Sequence, residues 1–220
     1  MRNHQPDNIE WRADVPFSTQ FDDPYYSIDN GLAETEHVFI RGNALPARFV
    51  DGFHIAELGF GTGLNLLIAL ATWRQSGVRG TLQFTSFEAF PLLPKQMIKA
   101  HKAFPKLREL AAELAPLWDS TISLPDLQFQ LILGDARDTL PNWHHKADAW
   151  FLDGFSPAKN PDIWEPALMA QVADHTKQGG SCATYTAAGF VRRGLQAGGF
   201  LTTRTAGFGR KRHMIQGKKP

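Results

Sequence analysis

The segment Phe53-His54-Ile55-Ala56-Glu57-Leu58-Gly59-Phe60-Gly61-Thr62-Gly63 runs directly into Leu64-Asn65-Leu66-Leu67-Ile68-Ala69-Leu70. An apolar run, three alternating glycines and a second apolar run read as strand, tight turn and helix. Glycines at this spacing let the backbone approach a ligand where a Cβ would collide. The helix that follows offers unpaired N–H groups and the positive end of its dipole. Glu57 stands at the strand's carboxyl end, the side on which open α/β sheets hold ligands. The spacing is G-x-G-x-G, not the G-x-G-x-x-G of dinucleotide folds. The Gly-Lys-Ser/Thr of a P-loop is absent.

The alternation continues beyond this turn. Strands are expected at about 53–58, 82–88, 129–133, 149–152, 181–186, 200–205 and 211–216. Helices are expected at about 64–76, from Lys95 onward, and at about 106–118, 162–175 and 187–196. This order implies a Rossmann-like α/β fold: a mostly parallel, seven-stranded sheet with helices on both faces. Residues 1–50 differ, being rich in turn formers and aromatics. Within them, His37-Val38-Phe39-Ile40-Arg41, closed by Gly42-Asn43, alternates like one strand of a small hairpin. Two parts are therefore expected: an N-terminal β extension over 1–50 that covers the ligand site, and a main domain over 51–220.

Cys182 is the only cysteine, which excludes an intrachain disulfide and Cys-x-x-Cys zinc sites. It lies in an apolar run and reads as a small core residue. No stretch approaches the roughly 18 apolar residues of a membrane span, and the N-terminus lacks a charged-then-apolar secretory pattern. A reducing, cytoplasmic setting is expected, with a monomer as the simplest state. The eight histidines are scattered without metal-ligand spacing, so no metal is expected. The net charge of +1 conceals an asymmetry: His175 to Pro220 holds nine Lys/Arg and no acid. Such a face suits an anionic partner.

Four acids fall at four successive strand ends: Glu57, Glu88, Asp135 and Asp153. A nucleoside ligand accounts for them. A carboxylate after the second strand can accept both ribose hydroxyls, and a side chain after the third can take an adenine amino group. Acids in these places also cap the next helix, and Asp135 before Ala136-Arg137-Asp138 fits that role as well. Asp153-Gly154-Phe155-Ser156-Pro157 places an acid, a turn, an aromatic and a proline at the fourth end. A carboxylate there can orient an amine, offset the charge that grows on nitrogen and take a proton.

The E-x-G-x-G-x-G turn resembles the first motif of methyltransferases that use S-adenosylmethionine. Longer strings narrow the likeness: Phe21-Asp22-Asp23-Pro24-Tyr25-Tyr26, Asn30-Gly31-Leu32-Ala33-Glu34-Thr35, Ser86-Phe87-Glu88-Ala89-Phe90-Pro91, Trp150 through Pro161, Ala188 through Leu195, and Gly207-Phe208-Gly209-Arg210-Lys211-Arg212. Together they resemble the MnmC-type family, which N-methylates 5-aminomethyl-2-thiouridine at the tRNA wobble position. In many bacteria that activity is fused to an FAD-dependent oxidase; here no oxidase glycine motif follows Gly217-Lys218-Lys219-Pro220. The expectation is therefore a stand-alone enzyme or an excised domain. The resemblance implies that Glu57, Gly59, Phe60, Gly61, Thr62, Gly63, Glu88 and Asp135 bind S-adenosylmethionine, and that Asp153 is catalytic. Asp23 and Tyr25, from the extension, are expected to close the pocket, Phe155 to pack on the flipped base or on the cofactor, and Lys159, Arg192, Arg193, Arg210, Lys211 and Arg212 to meet anticodon-stem phosphates. The competing readings are a methyltransferase or an aminopropyltransferase acting on a small-molecule amine, and a non-catalytic RNA-binding module.

Overall fold

The computed structural model describes residues 8–220, so the first seven residues of the expected extension lie outside the described residues. The extension forms β1 (Ile9–Arg12), β2 (Val15–Ser18) and the two-residue β3 (Asp23–Pro24), a small antiparallel sheet, followed by α1 (Gly31–Thr35). Then come β4 (His54–Leu58), α2 (Leu64–Ser76), β5 (Leu82–Glu88), α3 (Pro94–His101) and α4 (Arg108–Leu114). They lead into β6 (Thr121–Leu124), β7 (Leu127–Leu133), α5 (Ala136–Thr139), β8 (Ala147–Leu152) and α6 (Pro166–Asp174). The last elements are β9 (Thr176–Thr184), α7 (Gly189–Ala197), β10 (Leu201–Ala206) and β11 (His213–Lys218).

The main sheet runs β10-β11-β9-β8-β4-β5-β7-β6. Its centre, β9 to β7, is parallel, while β6 joins β7 antiparallel and β11 lies antiparallel between β9 and β10. From β4 the chain steps outward to β5 on one side and later to β8 on the other. That reversal opens a crevice above the carboxyl ends of β4 and β8.

All five residues of β4 are buried, as a central parallel strand requires. On one face, Leu66, Leu67, Leu70 and Trp73 of α2 pack with Phe84, Phe151, Val38 and Phe39. On the other, Trp150 of β8 meets Trp164, Leu168, Met169 and Val191. Each such side chain stabilises the fold by about 1.5–3 kcal/mol through apolar burial. Cys182 is fully buried in β9, where burial pushes its thiol pKa up, in keeping with a core role. Among the described residues no helix is long and apolar enough to cross a membrane.

Two expectations are corrected. The sheet has eight strands, not seven, because Thr121–Leu124 folds back on β7 through the two-residue turn Pro125-Asp126, pairing Leu124 with Leu127. The segment His37–Arg41 is helical, not a strand. Asn30 caps α1 by accepting from Ala33 N at 3.0 Å, and the coil continues as a π turn over Glu36–Ile40 and a 3-10 turn over Arg41–Asn43. Val38, Phe39 and Ile40 are consecutive and all buried, which an alternating strand with one wet face does not allow. The hairpin of the extension lies upstream, where β1 pairs with β2 from Ile9↔Ser18 to Arg12↔Val15.

Candidate active site

The turn after β4 and the turn after β8 touch backbone to backbone. A Cβ on Gly59, whose φ is +81°, would lie 2.9 Å from Gly154 Cα. At Gly61 (φ +54°) a Cβ would meet the Tyr25 ring at 3.1 Å. Both positions have the left-handed backbone that favours glycine; at Gly59 the facing backbone also leaves no space for a side chain, and at Gly61 the Tyr25 ring makes it tight. They form one wall of a cleft of about 670 Å³, which Phe60, Thr62, Glu88, Asp135, Asp153 and Tyr185 also line. That volume suits a bound small molecule. Gly63 does not line the cleft; it faces Phe60, Met97 and Trp118 behind the turn.

The four strand-end acids have different surroundings. Glu88 accepts from Gly61 N at 3.0 Å and Phe90 N at 2.7 Å, so it braces the glycine turn from β5. Glu57 is fully buried beneath the turn and does not line the cleft. Its carboxylate accepts from Ser86 Oγ at 2.6 Å and Asn65 Nδ2 at 2.8 Å, and burial pushes its pKa well above the usual carboxylate range. Asp153 accepts from Asn65 Nδ2 at 2.7 Å and from Gly154 N at 2.9 Å. Burial pushes its pKa up to about 6, against the pull of those two donors. Asp135 caps α5, accepting from Arg137 N at 3.0 Å, and the Arg137 guanidinium grips the same carboxylate at 2.6 Å. Arg137 also reaches Asp162 at 2.9 Å and Glu165 at 3.3 Å; Asp135 first, then these two acids, raise its pKa.

The extension is strapped across the opening. Asp23 accepts from Ser156 N at 2.8 Å, and Lys159 Nζ reaches Asp22 at 2.8 Å. Phe21 stacks on Phe155 with ring centroids 4.8 Å apart, and Tyr25 meets the same ring edge-on at 5.0 Å. Asp23, Tyr25 and Phe155 all line the cleft, whereas Lys159 is tied to the strap outside it. Of the basic residues, Arg210 and Lys211 line the cleft; Arg192, Arg193 and Arg212 do not. Lys211 Nζ pairs with Glu34 at 2.7 Å and lies 3.9 Å from the Tyr185 ring centroid. Arg193, Arg210, Lys211 and Arg212 are exposed, and Arg192 is half-buried on α7.

Three participants escaped the sequence reading. Asn65 joins two of the acids and accepts from Thr35 Oγ1 at 2.8 Å. Its signal was visible: it is the one polar residue in the otherwise apolar stretch Leu64–Leu70. Tyr185 donates to Gly154 O at 2.8 Å and so holds the β8 turn from the far side, a contact no local pattern announces. Glu34 was seen only as part of a longer string, not as the partner of Lys211.

The profile of the family described as S-adenosyl-L-methionine-dependent methyltransferase matches residues 100–220. The crystal structure of MnmC2 from Aquifex aeolicus is similar over the whole chain, with 26% identity and a TM-score of 0.77, and the match covers 73% of that protein. TrmN from Thermus thermophilus shares the fold, with 16% identity and a TM-score of 0.52 over 86% of this chain and 48% of its own. The cleft fits the cofactor these matches imply: a wall without side chains at Gly59 and Gly61 leaves room for a nucleoside, and a carboxylate closes the next strand at Glu88. More than half the chain, residues 100–220, carries the family profile, so the chain belongs to the S-adenosyl-L-methionine-dependent methyltransferase family.

Proposed function

We propose that the chain methylates the amino nitrogen of 5-aminomethyl-2-thiouridine at the wobble position of tRNA. The observation that carries this reading is Asp153: a carboxylate hydrogen-bonded by the neutral donors Asn65 Nδ2 and Gly154 N, in the same cleft as the glycine turn. When bound, S-adenosylmethionine supplies an electrophilic methyl carbon. The turn from Gly59 to Gly63, Glu88 and Asp135 would hold it, with Glu57 supporting the turn from below. Asp153 lines the cleft beside the glycine turn. It can accept an N–H of the incoming amine, point the nitrogen lone pair into the cleft and offset the positive charge that grows there. Its pKa also lets it take the proton that the nitrogen releases.

The acceptor is read from the surroundings and from the likeness to MnmC2 over the full chain. Phe155, Phe21 and Tyr25 form an aromatic wall suited to a base lifted out of its stack. Arg193, Arg210, Lys211 and Arg212 present exposed charge for backbone phosphates, which give position and affinity rather than sequence choice. On this reading residues 51–220 are the catalytic body and residues up to 50 its cover. The enzyme works in the cytoplasm, as a monomer, on tRNA already processed by an FAD-dependent oxidase.

The test is transfer of labelled methyl from S-adenosylmethionine to tRNA from cells lacking this enzyme, followed by nucleoside analysis. Label on 5-aminomethyl-2-thiouridine, lost in Asp153→Ala, supports the assignment. Absence of label on any tRNA, with the cofactor still bound, redirects the search to a small-molecule amine.

A further inference from the structure

Asn65 is the point where the extension, the glycine turn and the acid at β8 meet. Its amide has two N–H donors and one carbonyl acceptor. All three are used: Nδ2 donates to Glu57 Oε1 at 2.8 Å and to Asp153 Oδ2 at 2.7 Å, and Oδ1 accepts from Thr35 Oγ1 at 2.8 Å. The partners fix the orientation of the amide. Both carboxylates lie on one side, so the nitrogen faces them; a hydroxyl with a proton to give lies on the other. The residue is itself buried. A buried network with every donor and acceptor matched is rigid, and one missing member is costly.

We propose that Asn65 is a positioning residue for the methyl transfer: it spends one N–H on each of two carboxylates, so that Asp153 stays aimed into the cleft and ionised while Glu57 stays below the floor. This inference rests on the reading of Asp153 as the group that handles the amine. Without Asn65 no donor would lie between the two acids; Asp153 would keep only Gly154 N and Glu57 only Ser86 Oγ. The groups that face Asp153 from the surrounding elements are few. Glu34 of α1 pushes its proton affinity up, Lys211 ahead of β11 pulls it down, and Glu57 of β4 faces it across Asn65. Tyr185 after β9 senses the same field, together with Asp23 of the strap, and Glu88 of β5 acts on Glu57. The N–H of Asn65 is one of two neutral donors that favour the ionised form; Gly154 N is the other.

The same geometry gives the extension a line to the chemistry. Thr35 ends α1 and holds the amide from behind, so the covering segment reaches Asp153 through two hydrogen bonds. A side chain that only filled space would not do this. Leu64 and Leu66, its neighbours, are buried without any such bond.

The experiment is a carbon-13 NMR titration of the Asp153 carboxyl in the ligand-free full chain, assigned by its loss in Asp153→Asn, alongside the pH profile of kcat/KM. In Asn65→Ala the Asp153 midpoint should rise by about one pH unit, the scale expected for a lost bond to a charged acceptor. The acid limb of kcat/KM should move with it. A folded Asn65→Ala whose Asp153 midpoint stays in place overturns the proposal. If that variant fails to fold, Thr35→Val carries the test: a smaller rise in the same direction supports the proposal, and none overturns it. The titration needs no acceptor. A midpoint that moves while wild-type enzyme labels no tRNA therefore overturns the acceptor reading and leaves the part played by Asn65 intact.

Discussion

Asp153 at the end of β8 and Asp135 at the end of β7 occupy equivalent places in the strand order and line one cleft, yet the protein treats them in opposite ways. Asp135 is gripped by a guanidinium that also binds Asp162 and Glu165. Asp153 receives only an amide N–H and a backbone N–H. A cation beside a carboxylate spends its charge on structure. Neutral donors in a buried setting leave it ionised and reactive, with its pKa lifted toward neutrality. A pair of like groups with divergent surroundings marks the division between holding and reacting.

The strongest way to break this comparison is at Asp153. Asp153→Asn keeps shape and removes charge, so methyl transfer should fall by about 10²- to 10⁴-fold, with S-adenosylhomocysteine affinity by calorimetry changed only a few-fold. The same variant has a stability signature. Asp153 binds its proton more tightly folded than unfolded, since its pKa moves from 3.8 to about 6. Folding therefore gains stability as pH falls through about 6 toward about 4, and Asp153→Asn should lose that part of the gain in denaturant melts across pH.

Glu57→Ala tests the buried partner. It strands the donors of Ser86 and Asn65 and leaves a void, so urea unfolding should show a loss of about 2–4 kcal/mol. Next in size is the basic pair between β10 and β11. Lys211→Ala with Arg212→Ala should weaken tRNA binding about tenfold at low salt and reduce the slope of log affinity against log salt by about 1–2. Affinity unchanged across salt would remove these residues from the RNA face. The smallest effect belongs to Asp135→Asn. Its clamp is partly exposed, so about 1 kcal/mol of stability is at stake, and kcat should change less than about fivefold. A loss at Asp135 as large as that at Asp153 would sink the comparison.

The parallel body was legible because its signals are local: apolar strands, glycines at the first crossover and acids at strand ends. What escaped was set by contacts between distant residues. His37 to Arg41 reads as an alternating strand, but the cap at Asn30 and the burial of Phe39 against Phe151 select a helix. β6 is four residues long at a sheet edge, with Ile122 alone fully buried, so its pattern is weak. The cleft acids were found from position, but whether each was clamped or held by neutral donors depended on Arg137 and Asn65. Arg137 lay in view two residues beyond Asp135; Asn65 is 88 positions from Asp153.

The placement of β11 bears on how such a chain is made. Among the described strands β10 has no neighbour except β11, which in turn lies against β9. During synthesis, residues 201–206 emerge before the strand that will seat them, and they wait unpaired until residues 213–218 arrive. The far side of the sheet therefore closes inward from its later strand, and Lys211, the partner of Glu34 across the cleft, lies in the loop that joins those two strands.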